Sequence, residues 1–170
     1  IALACRTSFG VLEDWRKGML DVAIVEEPAG RSGRHRNAEC LHVDRLVWVG
    51  AKHGDAVNRR PLPVSLCNSS NALRPAMVRA LKENRIKYRT VSELGTIETV
   101  SATVKTDLAI SALLKSTVPA DVEILGGANH LPDLPHFEVV MLGAKTGTDQ
   151  VIQAFAQTIR DAFSSLNRSG

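Results

Sequence analysis

The sequence predicts an α/β protein of two lobes joined by two crossing strands, and three observations predict it. Arg45–His53 (RLVWVGAKH) and Phe137–Lys145 (FEVVMLGAK) are apolar, β-prone runs of the same build with a matching Gly-Ala-Lys exit, so they read as a pair of buried strands. The long block between them carries its own strand and helix signals, while shorter signals precede the first run and follow the second. A chain so arranged leaves lobe one, builds all of lobe two and returns. With 44% hydrophobic but only 4% aromatic residues, the composition suits packing of Val, Ile, Leu and Ala rather than an aromatic platform that stacks nucleic-acid bases. Two lobes leave a cleft, and clefts bind small molecules.

The opening reads as strand, helix, strand. Ile1–Cys5 is apolar, and Ser8 stands where an N-cap belongs before a helix over Phe9–Lys17, in which Val11, Leu12 and Trp15 recur at helical spacing. Gly18 follows as the left-handed C-terminal residue. Met19–Val25 (MLDVAIV) is a short strand with Asp21 at its mouth, and such an order implies parallel neighbours joined by a right-handed crossover. Glu26–Asn37, charged and broken by Pro28, Gly30 and Gly33, reads as a loop. Its Arg31, Arg34 and Arg36 follow no apolar period and read as solvated. Glu39–His42 leads into the first crossing strand, and Gly54–Pro63 beyond it is turn-like, with Arg59 and Arg60 at the tip.

The second lobe begins with Pro63–Asn68 (PVSLCN), a strand whose exit, Asn68, Ser69, Ser70 and Asn71, is a row of helix-capping residues. The next helix must start near Ser70–Arg74, because Pro75 is tolerated only in a first turn. Met77, Ala80 and Leu81 are its buried stripe. Lys87–Glu93 alternates as a strand, and Gly95 and Thr96 open a helix to about Lys105 with Ile97, Val100 and Val104 on one face. Leu108–Leu114 and Val122–Leu125 read as strands with a turn at Pro119 and Ala120, and Gly126–His136 is loop. Gly147, Thr148 and Asp149 supply a break and a cap for a last helix from Gln150 to about Ser164. There Ile152, Phe155, Ile159 and Phe163 are spaced three, four and four apart. Alternating strands and helices argue for mainly parallel sheets in both lobes.

Candidate chemistry concentrates at strand-to-helix exits, where N–H groups without intrahelical partners favour an anion and hydroxyl or amide side chains add directional bonds. Three exits qualify: Thr7 with Ser8, Asn68 with Ser69 and Ser70, and Gly95 with Thr96. They come from both lobes, so an organic anion could be gripped from two sides; taken singly, each also serves simply as a cap. Catalysis finds little support. Cys67 has no His or acid at a telling position, Ser69 lacks a GxSxG elbow, and Asp21 and Glu93 cannot be paired from sequence. His42 and His53 flank the first crossing strand and read as structural. His130, Asp133 and His136 are too loosely spaced around an extended PDLP segment for a metal site, and phosphate-loop and dinucleotide glycine patterns are absent. No metal, cofactor or enzymatic turnover is expected.

Three cysteines without CxxC spacing argue against a disulfide scaffold and for a reducing cytosol, and no run is long enough for a membrane span. The chain starts without Met on IALAC, a strand already under way, so a fragment is expected.

Several segments carry a family resemblance. Trp15–Val25 (WRKGMLDVAIV) looks like an L-x-x-G-x-L-D-x-A-I helix-to-strand segment, and Asp44–His53 looks like the strand leaving a first subdomain. Arg74–Ile86 with Lys87–Glu93, Val104–Leu114, and Phe137–Phe163 follow in the same order. Together they resemble the effector-binding domain of LysR-type transcriptional regulators. The resemblance implies two Rossmann-like subdomains, periplasmic-binding-protein-like of type II, with residues 1–48 plus 143–170 as the first and 49–142 as the second. It implies a small-molecule inducer in the cleft, a homodimer or homotetramer, a cytoplasmic location, and DNA bound through an N-terminal domain outside this chain. The family's first strand and helix of the domain are missing from the sequence. Carried over residue by residue, Ser8 lies where the family often has a ligand-contacting Ser or Thr, while Asn68, Ser69, Gly95 and Thr96 fall in the second subdomain's cleft-facing loops. Asp107 and Ala109 stand where the family usually has glycines, which puts that edge of the cleft in doubt; Asp tolerates a left-handed backbone, so the fold is not threatened. A solute-binding protein of a transport system shares the same fold and is the alternative.

Overall fold

The computed structural model describes residues 3–35, 37–67, 71–94, 97–143 and 149–169. The chain divides into two compact units: Ile1–Asp44 with His136–Gly170, and Arg45–Pro135.

The first unit places helices on two sides of a small sheet. Helix α1 spans Ser8–Arg16, and its N-cap is Thr7 rather than Ser8: Thr7 is extended, and its hydroxyl accepts from the Gly10 N–H. One position decides this, because Ser8 already has helical backbone and its hydroxyl is engaged elsewhere. Gly18 takes the expected left-handed conformation, with φ of +72°, and donates its N–H to the Trp15 carbonyl at 2.9 Å. Strand β1 runs Ala23–Pro28, so it starts later than the apolar run and continues through the acids read as loop. The cause is its partner. β1 pairs antiparallel with strand β7, His136–Leu142, from Ala23↔Leu142 to Pro28↔Phe137. A ladder is made by backbone groups, so the partly buried acids Glu26 and Glu27 take part in it as the apolar residues do.

Alternation along this pair separates two apolar faces. Ala23, Val25, Val140 and Leu142 pack with Val11, Leu12 and Trp15 of α1, whereas Leu41 and Met141 pack with Ala156, Ile159 and Phe163 of the last helix, α4. α4 spans Gln150–Ser169; the Asp149 carboxylate caps it by accepting from Val151 N–H at 2.8 Å. Arg160 ties α4 to strand β2, Glu39–Ala51, through two bonds to the Glu39 carboxylate at 2.8 and 2.9 Å. The expected strand at Ile1–Cys5 is not formed over its described residues, 3–5. Among the described residues β1 pairs with β7 alone, and residues 3–5 join no ladder.

β2 passes from the first unit into the second, where Leu46–Val49 pairs antiparallel with strand β5, Ser111–Leu114, and Trp48–Ala51 with strand β6, Val122–Leu125. Val47, Val49, Leu113 and Val122 bury against Val100 and Val104 of helix α3, Ile97–Lys105. Strand β3, Leu62–Cys67, is buried throughout and pairs in parallel with strand β4, Tyr88–Leu94; helix α2, Arg74–Glu83, connects them and buries Met77, Ala80 and Leu81. The mainly parallel sheets predicted from element order are thus corrected. Only where a helix crossover joins spatial neighbours, as in β3-α2-β4, does the order force parallel pairing; β1, β2, β5, β6 and β7 find antiparallel partners distant in sequence.

The glycine-to-Asp departure is resolved by the fold. Asp107 takes a left-handed backbone, φ +54°, and its carboxylate accepts from the N–H groups of Ala56 at 2.9 Å and Asp55 at 3.1 Å while pairing with Arg59. Arg59, in the turn as expected, is therefore also a clamp on it. A Cβ at Gly54 would lie 2.4 Å from Asp107 Oδ1, so the bare glycine is what lets the loop approach.

Candidate functional site

Strand direction fixes the two ends of the second unit. β3 is parallel to β4 and, through a bridge between Val64 and Ile110, to the segment entering β5. Cys67, Leu94 and Leu114 therefore end their strands on the same side, while Leu62, Tyr88 and the Asp107 turn lie at the opposite side. In open α/β sheets ligands bind beyond the carboxyl ends of parallel strands. The Asp107 departure consequently sits away from that end.

In sequence, Asn68, Ser69 and Ser70 follow Cys67, and Gly95 and Thr96 follow Leu94; these five lie outside the described residues. The first described residue after the β3 exit is Asn71, whose side-chain carbonyl accepts from Leu73 N–H at 2.8 Å and sets the turn into α2. Pro75 then stands in the first turn, where its missing N–H costs nothing. Arg74, just before it, reaches back across the strand ends. Its Nη1 donates to the Cys67 carbonyl at 2.9 Å and its Nη2 to Glu93 Oε1 at 2.7 Å. The hydrogen bond from Arg74 holds the Glu93 carboxyl below the usual range, and Glu93 in turn raises the affinity of the guanidinium for its proton. Sequence reasoning placed Glu93 at this end but missed Arg74, which the apolar stripe of α2 leaves out; its place one residue before Pro75, in the first turn, was the available signal.

Beneath this end runs a hydroxyl row. Ser92 and Ser65 share a hydrogen bond at 2.8 Å across β4 and β3, and the Ser111 hydroxyl donates to the Ser65 carbonyl at 2.7 Å. Ser65 and Ser111 are fully buried, so each bond offsets a desolvation cost that the strands would otherwise bear. Ser101 of α3 is also buried, and its hydroxyl finds no partner among the described residues.

In the first unit, Thr7 and Ser8 stand side by side at the start of α1. The Thr7 hydroxyl accepts from Gly10 N–H as the cap, and the Ser8 hydroxyl accepts from Glu26 N–H at 3.0 Å, joining α1 to β1. The Glu26 carboxyl is pushed above the ordinary range by burial and then by the nearby Asp44 charge. Glu27 bonds His35 at 3.2 Å, and Glu138, opposite Glu27 in the ladder, accepts from Gly30 N–H at 2.9 Å. Other sequence candidates are absorbed by structure: Cys67 is buried, Asp133 pairs with Arg45 at 3.0 Å, and the His42 ring lies 6.4 Å from that of Phe163. Among the described residues no group of three or more His, Cys, Asp or Glu could hold a metal ion, and no helix is long and apolar enough to cross a membrane.

Comparison with known proteins agrees with this architecture. Residues 1–164 match the family described as the LysR substrate binding domain. A curated relative, the HTH-type transcriptional regulator DgdR of Burkholderia cepacia, is 26% identical over an alignment of 170 residues that covers 98% of this chain and 55% of the regulator, so the chain spans about half its length. The apo regulatory domain of HypT from Salmonella typhimurium superposes with a TM-score of 0.79 at 13% identity, covering 96% of this chain and 82% of that one. The regulatory domain of CcmR from Synechocystis PCC6803, solved with 2-PG, gives 0.66 at 15% identity over 92% and 80%. The effector-binding domain of QuiR, solved with shikimate, gives 0.65 at 16% identity over 94% and 79%. At such identities the likeness is one of fold, of the type II periplasmic-binding-protein kind with Rossmann-like subdomains. The family match over nearly all residues goes further: this chain belongs to the LysR substrate binding domain family.

Proposed function

We propose that this chain is the effector-sensing domain of a LysR-type transcription regulator, a binding module rather than an enzyme. It takes a small organic anion through Thr7 and Ser8 of the first unit and through Asn68, Ser69, Gly95 and Thr96 of the second. The observation that carries the reading is the parallel set in the second unit, in which the strands β3 and β4 end on one side at Cys67 and Leu94. Family membership and the regulator DgdR favour this over a transport solute-binding protein of the same fold. CcmR with 2-PG and QuiR with shikimate are small-ligand precedents within that fold. Signalling is by population shift: the effector binds one arrangement better and biases how paired or tetrameric subunits, in the cytoplasm, present DNA-binding domains located elsewhere in the full protein.

A thermal-shift screen with aromatic and aliphatic acids, on the parent and on Ser8→Ala and Thr96→Ala, tests this. A ligand that binds the folded state raises Tm by linkage, by about 2.7 kcal/mol of stability at a hundredfold excess over Kd. The expected result is a rise in the parent that both variants lose. A folded parent that no acid stabilises would remove the site assignment.

A further inference from the structure

We propose that Arg74 is the residue that takes the carboxylate of the effector, and that Glu93 is an internal carboxylate which holds Arg74 in the effector's absence and is displaced when it binds. The inference rests on the effector-sensing reading above and names the ligand class and the residue that selects it.

Three features of the pair carry it. The first is location. Arg74 bridges the last residue of β3 and the penultimate residue of β4, at the carboxyl ends where open α/β sheets receive ligands, and not at the far end where the Asp107 turn lies. The second is the division of labour within one guanidinium. The Cys67 carbonyl fixes one arm against a buried strand and so holds the group in place, while the other arm is given to a side chain that is itself half in water, Glu93 at 51% exposure against 23% for Arg74. A fixed cation facing a water-accessible carboxylate is set up for exchange, because Glu93 can move into solvent at little cost while Arg74 stays. The third is chemistry. The planar fork of Arg matches any carboxylate, so an effector acid repeats the bond that Glu93 makes and needs no new geometry. A neutral ligand of the same shape cannot make that exchange.

Charge arithmetic sets the expected behaviour. With Glu93 in place the pair is neutral, and an incoming anion must compete with a tethered one. Removing the competitor should therefore strengthen anion binding, whereas removing the cation should abolish it. A pair that merely braces the strand ends would respond differently, since either loss would loosen the same contact and move binding in one direction.

The test is isothermal titration at fixed ionic strength, with benzoate and acetate as probes and benzamide and acetamide as their neutral counterparts. It compares the parent, Glu93→Gln, Arg74→Gln and the double variant, which keeps two uncharged polar groups and controls for folding. Glu93→Gln should bind the acids about fivefold more tightly than the parent, the factor corresponding to the upper worth of an exposed ion pair. Arg74→Gln should bind them at least about tenfold more weakly and lose its preference for acid over amide. If probes bind the parent but the two single variants shift affinity in the same direction, or not at all, the exchange proposal is overturned and the effector-sensing reading stands. If no probe, charged or neutral, binds the parent or Glu93→Gln, both fall.

Discussion

Replacing Asp107 separates backbone strain from side-chain bonding at one residue. The carboxylate accepts two backbone N–H bonds, from Ala56 and Asp55, and pairs with Arg59, with 26% of the side chain exposed. Hydrogen bonds to a charged group are each worth about 1.5–3 kcal/mol when buried, and partial exposure reduces this, so Asp107→Ala should cost about 2–4 kcal/mol. Ala also bears the cost of the left-handed backbone, φ +54°, which Gly does not; Asp107→Gly should therefore be milder than Ala by about 1 kcal/mol. Asp107→Asn keeps one acceptor and tolerates the same backbone, so about 1 kcal/mol is expected. Urea unfolding followed by circular dichroism gives the order, with Asn least affected, then Gly, then Ala. Burial alone would raise the Asp107 carboxyl, but the N–H groups of Ala56 and Asp55 and the Arg59 guanidinium outweigh it and hold the group below the ordinary range. Its contribution is then fully present above the unfolded value of about 4 and is lost as pH falls through the lower folded value, so Asp107→Asn should flatten the acid limb of the stability profile. A Gly variant as stable as the parent would refute the reasoning, since it would mean that the three contacts contribute nothing beyond strain.

Two further substitutions probe the first unit. Gly143 has φ of +91°, and a Cβ there would fall 2.4 Å from the Asp21 carbonyl oxygen and 3.0 Å from Trp15 Nε1; Gly143→Ala should cost about 3 kcal/mol or more, read as a fall in Tm. Glu26 is raised by burial and by Asp44, so ionising it is a penalty that grows as pH rises from the unfolded value of about 4.3 through the higher folded one. Glu26→Gln should accordingly stabilise the chain at pH 7, and the gain should vanish near pH 4; an equal effect at both pH values would exclude the electrostatic cause.

Element positions were legible wherever a local signal fixed them. Pro75 set the start of α2, Gly18 the end of α1, and the stripe of Ile152, Phe155, Ile159 and Phe163 marked α4. Pairing was not legible, because a run such as AIVEEP records that a strand will form but not that Phe137–Leu142 will lie antiparallel beside it. The same blindness made Glu26 and Glu27 look like loop. At the candidate site, hydroxyl and amide exits were visible as caps, but the reach of Arg74 to Cys67 and Glu93 depends on two strands being parallel neighbours, which only the fold supplies.

The opposed ends of the second unit also bear on how such a domain changes over evolutionary time and under laboratory selection. The turn built from Gly54, Asp107 and Arg59 stands at one end of the parallel strands, and Cys67 and Leu94 end those strands at the other. A substitution in that turn and one at the Arg74–Glu93 pair should then add in their effect on stability, since distant, independent sites add rather than couple. Changes at the Arg74 end can therefore accumulate without drawing on the stability that the Asp107 turn supplies.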